Sequence, residues 1–131
     1  MKRTILVIED NEQNLYLATF LLEQNGFTVV AARSGPEGIE QAARVFPDLI
    51  LLDIQLPGMD GYAVARELRQ RAALRDVPVV AVTSYAMVGD RERALEAGCN
   101  GYIEKPINPD TFRGEIEKYL TTHAAGGGSA P

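Results

Sequence analysis

Four short stretches carry polar side chains that suit phosphoryl and metal chemistry, and each follows an apolar run. They are VIEDN, LILLDIQ, AVTS and YIEKP, with Glu9, Asp10, Asp53, Thr83 and Lys105 as the candidate residues. A carboxylate can act as a nucleophile toward a phosphoryl group, and carboxylate oxygens are ligands that Mg²⁺ prefers. A lysine and a hydroxyl can stabilise the charge on phosphoryl oxygens. Together these residues indicate a magnesium-dependent phosphoryl-acceptor site with Asp53 as the nucleophile.

Each of these residues also has an ordinary structural explanation. Asp10 or Asn11 could cap the first helix without any metal, because Asp and Asn are preferred N-cap residues. Lysine before proline is usually solvated in a loop, and a threonine at a strand end often has an idle hydroxyl. No such explanation predicts five complementary side chains at the ends of apolar runs, so the coincidence favours the functional interpretation.

The apolar runs themselves predict the elements that must position these side chains. They are nearly continuous rather than alternating, which is typical of strands covered on both faces, and each is followed by a helical pattern. We therefore predict an α/β fold, a doubly wound (βα)5 flavodoxin-like sheet of five parallel strands in the order 2-1-3-4-5. The predicted strands are Thr4–Ile8, Phe27–Ala32, Asp48–Ile54, Val77–Thr83 and Gly101–Glu104.

The predicted strand order brings the acidic residues together. Strands 1 and 3 are neighbours in this order, and adjacent strands lie about 4.8 Å apart. Asp10 and Asp53 should therefore reach one small ion at the carboxyl edge of the sheet. Because three carboxylates without cations would raise one another's pKa values and destabilise the fold, the arrangement calls for Lys105 and a divalent cation.

Helix signals agree with this arrangement. Apolar residues at helical spacing predict core-facing stripes in two helices, and a fourth helix over Asp90–Ala97 has few apolar anchors and should dock weakly. Capping residues and glycines mark several helix ends. The residues are Ile39, Ala42, Ala43 and Phe46 for the second helix, Phe112, Ile116, Tyr119 and Leu120 for the fifth, Ala94, Leu95 and Ala97 for the fourth, Ser34, Glu37 and Asn108–Pro109 for starts, and Gly26 and Gly98 for stops.

Composition limits the classes of function. The 131 residues, 46% of them hydrophobic, suit one domain over residues 1–122, followed by a flexible Gly/Ser/Ala tail over residues 123–131. No apolar run approaches the roughly 20 residues of a membrane span, and no signal peptide is evident, so we expect a cytoplasmic protein without a membrane partner. The net charge of −5 disfavours nucleic acid and favours a protein partner. The single cysteine, Cys99, should be buried, and His123 is given no chemistry.

The quoted motifs, extended to VIEDNEQN, PDLILLDIQLPGMDG, PVVAVTSYA and GYIEKPI, resemble those of CheY-like response-regulator receiver domains. The resemblance covers Lys2 to about Thr122. EDNEQN and GDRERALEAGCNGYIEKPI further resemble stand-alone receivers that control the bacterial cell cycle and development, and receivers of hybrid histidine kinases.

The resemblance implies a role for each candidate. Asp53 would accept the phosphoryl group from the phosphohistidine of a histidine kinase or a histidine phosphotransfer protein. Asp10, Asp53 and the main-chain carbonyl of Gln55 would hold Mg²⁺, for which Mn²⁺ can substitute, and Glu9 would act through a metal-bound water. Thr83 and Lys105 would bind the phosphoryl oxygens.

The resemblance also implies how the protein switches between its two signalling states. The Lys105–Pro106 bond would be cis, and Tyr102 would act with Thr83 as the switch. Gln55 and Tyr85 would tune the phosphoryl lifetime, and we expect moderate to slow self-dephosphorylation, with Tyr85 shielding the phosphoryl group.

Partners follow from the same resemblance. The first helix around Asn14 and Leu15, with Ile107, would dock the phosphodonor, and the face of helix 4, strand 5 and helix 5 would contact a target protein. We expect a monomer or weak dimer that signals by phosphorylation-dependent contact and catalyses only its own phosphorylation and slow dephosphorylation.

Two alternatives stay open. The chain could be the receiver module of a hybrid histidine kinase. Less consistent with the sequence is a magnesium-dependent aspartyl phosphatase, because such enzymes generally place a second aspartate two residues after the nucleophile, where this chain has Gln55. A flavin-binding relative is disfavoured by the acidic, glycine-free EDNEQN loop.

Overall fold

The computed structural model describes residues 2–84 and 89–123, in which strands and helices alternate along the chain. No helix in these two ranges is long and apolar enough to cross a membrane. The elements are β1 Thr4–Ile8, α1 Glu12–Gln24, β2 Thr28–Ala32, α2 Gly35–Val45, β3 Leu49–Asp53, α3 Gly61–Arg69, a 3-10 turn Ala72–Leu74, β4 Val79–Thr83, α4 Asp90–Glu96, β5 Gly101–Glu104 and α5 Pro109–His123.

The five strands form one parallel sheet in the order β2-β1-β3-β4-β5, which confirms the predicted fold. Because successive strand side chains point to opposite faces, each strand contributes to both of two cores. Leu6 and Leu52 pack with α2, α3 and α4, whereas Ile5 and Leu51 pack with α1 and α5. The sheet is therefore covered on both faces, so a functional site on the sheet itself must lie at one of its edges.

Helix boundaries follow from local hydrogen bonds. Asn11 caps α1, because its side-chain oxygen accepts the N–H of Asn14 at 2.9 Å. Ser34 caps α2 through the N–H of Glu37 at 3.2 Å, as predicted. The Glu37 carboxylate reaches back to the N–H of Arg33, one residue before the cap. Gly98, with φ of +108°, ends the α4 turn, a conformation that favours glycine.

Several predicted boundaries and core positions were wrong. Strands β2, β3 and β4 are shorter than expected, and Phe27, Asp48, Ile54 and the Val77–Pro78 pair lie outside them. Helix α4 ends at Glu96, one residue early.

Three predicted core side chains face solvent instead. Phe46 is the C-cap of α2, in the left-handed region, so its side chain leaves the stripe and is 59% exposed. Ala43 of the same stripe is also exposed. Leu95 is 49% exposed, so Ala94 is the buried anchor within α4, and Ala97 is buried at its C-cap. Cys99 is buried, as expected, and burial raises the pKa of its thiol to about 11.

The amino-terminal edge of the sheet is held together by Arg69 at the end of α3. Its guanidinium donates to the carbonyl oxygens of Leu74, Arg75, Val77 and Gly98 at 2.7–3.1 Å, and to the side-chain oxygen of Asn100. The same Asn100 oxygen accepts the N–H of Val79, the first residue of β4. Arg69 thus joins the α3–β4 connection to the α4–β5 connection, which is distant from it in sequence. Burial lowers the pKa of its guanidinium.

Candidate functional site

Asp53 is the last residue of β3 and lies in a rigid setting. Its side chain is 3% exposed, and its Oδ1 accepts the main-chain N–H of Gln55 at 2.9 Å. The next residue, Ile54, still donates its N–H to the carbonyl of Val82, so the strand pairing continues past the carboxylate. Asp53 is therefore a fixed, nearly buried carboxylate at the carboxyl edge of the sheet.

Gly61, the first residue of α3, packs directly behind this carboxylate. A Cβ atom at position 61 would lie 2.7 Å from the carbonyl oxygen of Asp53 and would overlap the Cα of Ile54. Both neighbours are main-chain atoms, which cannot swing away. The helix can therefore approach the strand end only with glycine at this position.

The acidic pair after β1 meets Asp53, as the strand order predicts. One carboxylate oxygen each of Glu9, Asp10 and Asp53 lies within 4.8 Å of the others. Glu9 is buried and accepts the N–H of Asn11 at 3.2 Å, whereas Asp10 is exposed. Three oxygen ligands at this spacing could hold one metal ion, and a set of oxygens alone suits a hard cation such as Mg²⁺.

Lys105 enters this cluster from the end of β5. Its Nζ lies 2.9 Å from Oε1 of Glu9 and 3.4 Å from Oδ2 of Asp53, and its side chain is about 10% exposed. Its main-chain N–H donates to the carbonyl of Thr83 at 2.7 Å, and the Lys105–Pro106 bond is cis. The cluster therefore holds three carboxylates and one ammonium group.

Glu9 reports the electrostatic cost of this arrangement. Burial raises the pKa of its carboxyl group above the ordinary value, and nearby Asp53 adds to the increase. The ion pair with Lys105 acts in the opposite direction without offsetting the burial. An added cation would therefore relieve a site that favours positive charge.

Thr83 and Gln55 complete the wall of the site. Thr83 is the last residue of β4 and is 3% exposed. Gln55 follows Asp53 by two residues, and its side-chain Oε1 accepts the main-chain N–H of Ser84 at 3.2 Å. Tyr85, the other expected lifetime residue, lies outside the described residues. The structure thus brings Glu9, Asp10, Asp53, Gln55, Thr83 and Lys105 to one edge.

Tyr102 lies on β5, next to the contact between α3 and α4. Its ring is half-buried and packs against the core on the α2–α4 side of the sheet. Burial raises the pKa of its hydroxyl, and the charge of Asp90 adds to this effect. Nearby, the Arg93 guanidinium of α4 lies 4.5 Å from the ring centroid of Tyr62 on α3. Tyr102, the expected switch residue, therefore lies beside the contact that joins α4 to α3.

The expected phosphodonor-docking residues are less accessible than the sequence suggests. Leu15 and Ile107 are both buried, and Asn14 is half-buried. Asn14 and Ile107 line a small cavity of about 10 Å³ that Asp53 also borders, and Leu15 does not. The exposed apolar surface of α1 is instead a stacked pair, Tyr16 and Phe20, whose ring centroids lie 6.3 Å apart.

Two features of the site and its surroundings have no signal in the sequence, and a third has only a partial one. Arg69 resembles any basic residue in the last turn of a helix, and its acceptors come from residues 74–100. The Arg93–Tyr62 contact joins two helices whose spacing only the fold determines. The close approach at Gly61 had a partial signal, because this glycine lies three residues after the Pro57–Gly58 turn that ends the segment following Asp53.

Known proteins are similar to this chain in fold and in sequence. Residues 5–117 match the family model for the response regulator receiver domain. Over 120 residues the chain is 43% identical to the polar-differentiation response regulator DivK of Brucella ovis, which covers 92% of this chain and 98% of that protein.

Two solved structures are similar as well. A CheY-like response regulator receiver domain protein of Methanospirillum hungatei has a TM-score of 0.89 and 28% identity, covering 97% of this chain and 100% of that one. The receiver domain of the sensor histidine kinase PA1611 of Pseudomonas aeruginosa has a TM-score of 0.85 and 34% identity, covering 92% of this chain and 99% of that one. That structure has a magnesium ion in its active-site cleft.

Proposed function

This chain belongs to the response regulator receiver domain family and is a response regulator of a two-component phosphorelay, and from that premise we propose that Asp53 is its phosphoryl acceptor. The observation that carries the proposal is the convergence of three carboxylates at the carboxyl edge of the sheet, two of which contact Lys105. Asp53 is the member held by the strand and by the N–H of Gln55, so its carboxylate is preoriented.

The phosphoryl group would come from the phosphohistidine of a histidine kinase or a histidine phosphotransfer protein. The N–P bond of the donor breaks while an O–P bond forms on Asp53, and the imidazole leaves. Lys105 already lies 3.4 Å from the Asp53 carboxylate, so it can stabilise the added oxygens without a large movement. The Thr83 hydroxyl is the proposed second donor to them.

The donor set fits a divalent cation. Asp10, Asp53 and the main-chain carbonyl of Gln55 would hold Mg²⁺, or Mn²⁺ in its place, with Glu9 acting through a water. Bound there, Mg²⁺ would neutralise part of the charge that develops on the phosphoryl oxygens. Support comes from the all-oxygen chemistry of the cluster and from the raised pKa of Glu9.

The signal would pass to a target protein through a conformational change at α4. Phosphorylation would draw the Thr83 hydroxyl toward the site, and Tyr102 would move into the space behind it. The face of α4, β5 and α5 is the proposed target surface. Helix α4 suits a movable element, because its seven residues have only Ala94 buried among them and no side-chain cap at Gly89.

The proposed activity is a single acceptance and a slow release, not turnover of an external substrate. The Gln55 position argues against an aspartyl phosphatase, because an amide cannot serve as the general acid that a carboxyl group would provide. The proposal also keeps the cytoplasmic location expected from the sequence, where histidine kinases draw on ATP.

The test uses the whole chain with acetyl phosphate and Mg²⁺, followed by intact-mass measurement. We expect one phosphoryl adduct on the wild type, none without Mg²⁺, and none on Asp53→Asn. Asp60→Asn is the matched control, because Asp60 caps α3 through Ala63 and lies outside the cluster. An adduct that persists in Asp53→Asn, or continuous release of phosphate at high turnover, would contradict the proposal.

A further inference from the structure

A groove of about 590 Å³ lies between α2 and α3 on the surface of the protein. Its apolar lining consists of Pro36, Ile39, Ala43 and Met59. Pro36 and Ala43 are exposed, Met59 is half-buried, and Phe46 at the end of α2 is 59% exposed. The fold therefore leaves an apolar strip uncovered along these two helices, which is typical of an interaction surface.

Charged residues border this strip in the same order on both helices. Both α2 and α3 run from the carboxyl edge of the sheet to its amino edge, because each connects the end of one parallel strand to the start of the next. On α2, Glu40 precedes Arg44 by four residues. Glu67 of α3 precedes Arg71, which lies just beyond the helix, by the same four residues. Each acid is thus about one turn, or 6 Å, nearer the carboxyl edge than its arginine. Together the strip and these charges form the α2–α3 face.

The order of the charges makes the α2–α3 face complementary to itself in one orientation. A second copy can face the first through a two-fold axis that lies in the interface and crosses both helices. Each helix then opposes its own equivalent in the reverse direction, so Glu40 of one copy meets Arg44 of the other. Glu67 meets Arg71 in the same way. A two-fold axis parallel to the helices would instead oppose α2 to α3 in the same direction, which brings like charges together at a cost.

We propose that the α2–α3 face is a self-association surface, and that its occupant is a second copy of this chain in the antiparallel two-fold arrangement. The reversal pairs all four charges of each copy at once and lays the two apolar strips against each other. It also brings Phe46, at the arginine end of α2, toward the Pro36 end of the other copy. Because this face is separate from the carboxylate cluster, the association does not require phosphorylation of Asp53.

The size of the α2–α3 face makes this a weak dimer. The two helices are each about 15 Å long, and packed helices lie about 10 Å apart, so each copy can bury roughly 300–400 Å². The total is well below the roughly 1,600 Å² of a typical stable protein–protein interface. Association should therefore appear only at high protein concentration, and it should weaken as salt screens the exposed ion pairs.

Sedimentation equilibrium of the whole chain, from about 10 µM to about 1 mM, covers the range in which weak dimers form. We expect a monomer–dimer equilibrium for the wild type. Glu40 and Arg44 are the pair to exchange, since both are exposed, whereas Glu67 already lies 3.8 Å from Arg71 of its own chain. Glu40→Arg and Arg44→Glu should each weaken dimerisation about tenfold, because symmetry turns two attractive contacts into two repulsive ones.

Mixing the two variants tests the arrangement itself. An equimolar mixture of Glu40→Arg and Arg44→Glu should dimerise again, because two arginines of one copy then face two glutamates of the other. Glu23→Arg on α1 and Arg66→Glu on α3 are the matched controls, since both positions are exposed and outside the groove lining. Each control should match the wild type alone, and mixing the two controls should add nothing, although their net charges differ as much as those of the test pair.

The outcomes decide between self-association and other uses of the groove. A wild type that stays monomeric at about 1 mM would overturn the proposal and leave the groove to a different protein. Single variants that dimerise like the wild type, or controls that lose as much, would overturn it as well. A mixture that stays monomeric would exclude the antiparallel arrangement, whereas recovery in the test mixture alone would support it.

Discussion

Arg69 and Lys105 are half-buried cations at opposite edges of one sheet, and they differ in the charge of their partners. Arg69 donates to five neutral oxygens, and none of its hydrogen-bond partners in the described part of the chain is an anion. Lys105 contacts two carboxylates, with a third alongside. The amino edge is complete as it stands, whereas the carboxyl edge has excess negative charge and is poised to accept a cation. The difference separates a cation that stabilises the fold from one that serves chemistry.

The largest effect on stability should come from the amino edge. Arg69→Ala would leave several carbonyls without their donor, and we expect the free energy of unfolding to fall by about 3 kcal/mol. Urea denaturation measures this change. Arg66→Ala, an exposed arginine of the same helix, should stay within about 0.5 kcal/mol of the wild type. A small loss for Arg69→Ala would mean that the two cations do not differ as the contacts indicate.

Lys105→Met should destabilise the protein less, and in a way that a metal can repair. In the presence of EDTA, this variant leaves the three carboxylates with neither the lysine nor a metal ion. We expect the free energy of unfolding to fall by about 2 kcal/mol. This is less than the loss for a fully buried ion pair, because Asp10 is exposed. Adding Mg²⁺ should recover much of this loss, while Arg69→Ala should gain no more from Mg²⁺ than the wild type gains. Equal recovery in both variants would erase the distinction between the edges.

Magnesium alone should stabilise the wild type by a smaller amount. At ten times its dissociation constant, a ligand that binds only the folded state adds about 1.4 kcal/mol. A thermal melt with and without Mg²⁺ measures the shift in Tm. Asp53→Asn removes one carboxylate and should show a smaller shift, whereas Asp60→Asn should match the wild type. A full shift in Asp53→Asn would place the metal elsewhere.

The smallest effect concerns pH and isolates Glu9. Because the folded protein holds the Glu9 proton more tightly than the unfolded chain, its contribution to stability is full below about pH 4.5, its ordinary pKa, and is lost as the pH rises through the raised pKa of the folded state. In EDTA, the difference in unfolding free energy between Glu9→Gln and the wild type should therefore grow in favour of the variant with rising pH. A flat difference from pH 4 to pH 7 would contradict this.

The sequence was sufficient for the strand order and for the convergence at the carboxyl edge. Continuous apolar runs, followed by helical patterns, leave few topologies, and the polar residues lie at strand ends in each run. Once the order is known, Glu9, Asp10, Asp53 and Lys105 must meet. Roles within the cluster remain predictions, because ligand geometry depends on atoms that spacing does not specify.

Positions that depend on one residue's backbone or on distant partners were not predictable. Phe46 has the right spacing for the α2 stripe, but the helix ends there in a left-handed cap that turns its ring to solvent. Leu95 was likewise predicted to face the core and is exposed, because the seven residues of α4 bury too narrow a stripe to include it. The five acceptors of Arg69 come from two separate connections, and no local pattern relates them.

Gly61 has a consequence for genetics. A side chain at this position would push α3 away from the main chain of Asp53 and Ile54, so almost any substitution should abolish signalling as thoroughly as loss of the carboxylate itself. A screen for inactive alleles would then rank a residue without functional groups alongside the nucleophile. The two kinds of allele should differ in protein level: variants at position 61 should be present at low abundance in the cell, whereas Asp53→Asn should accumulate normally.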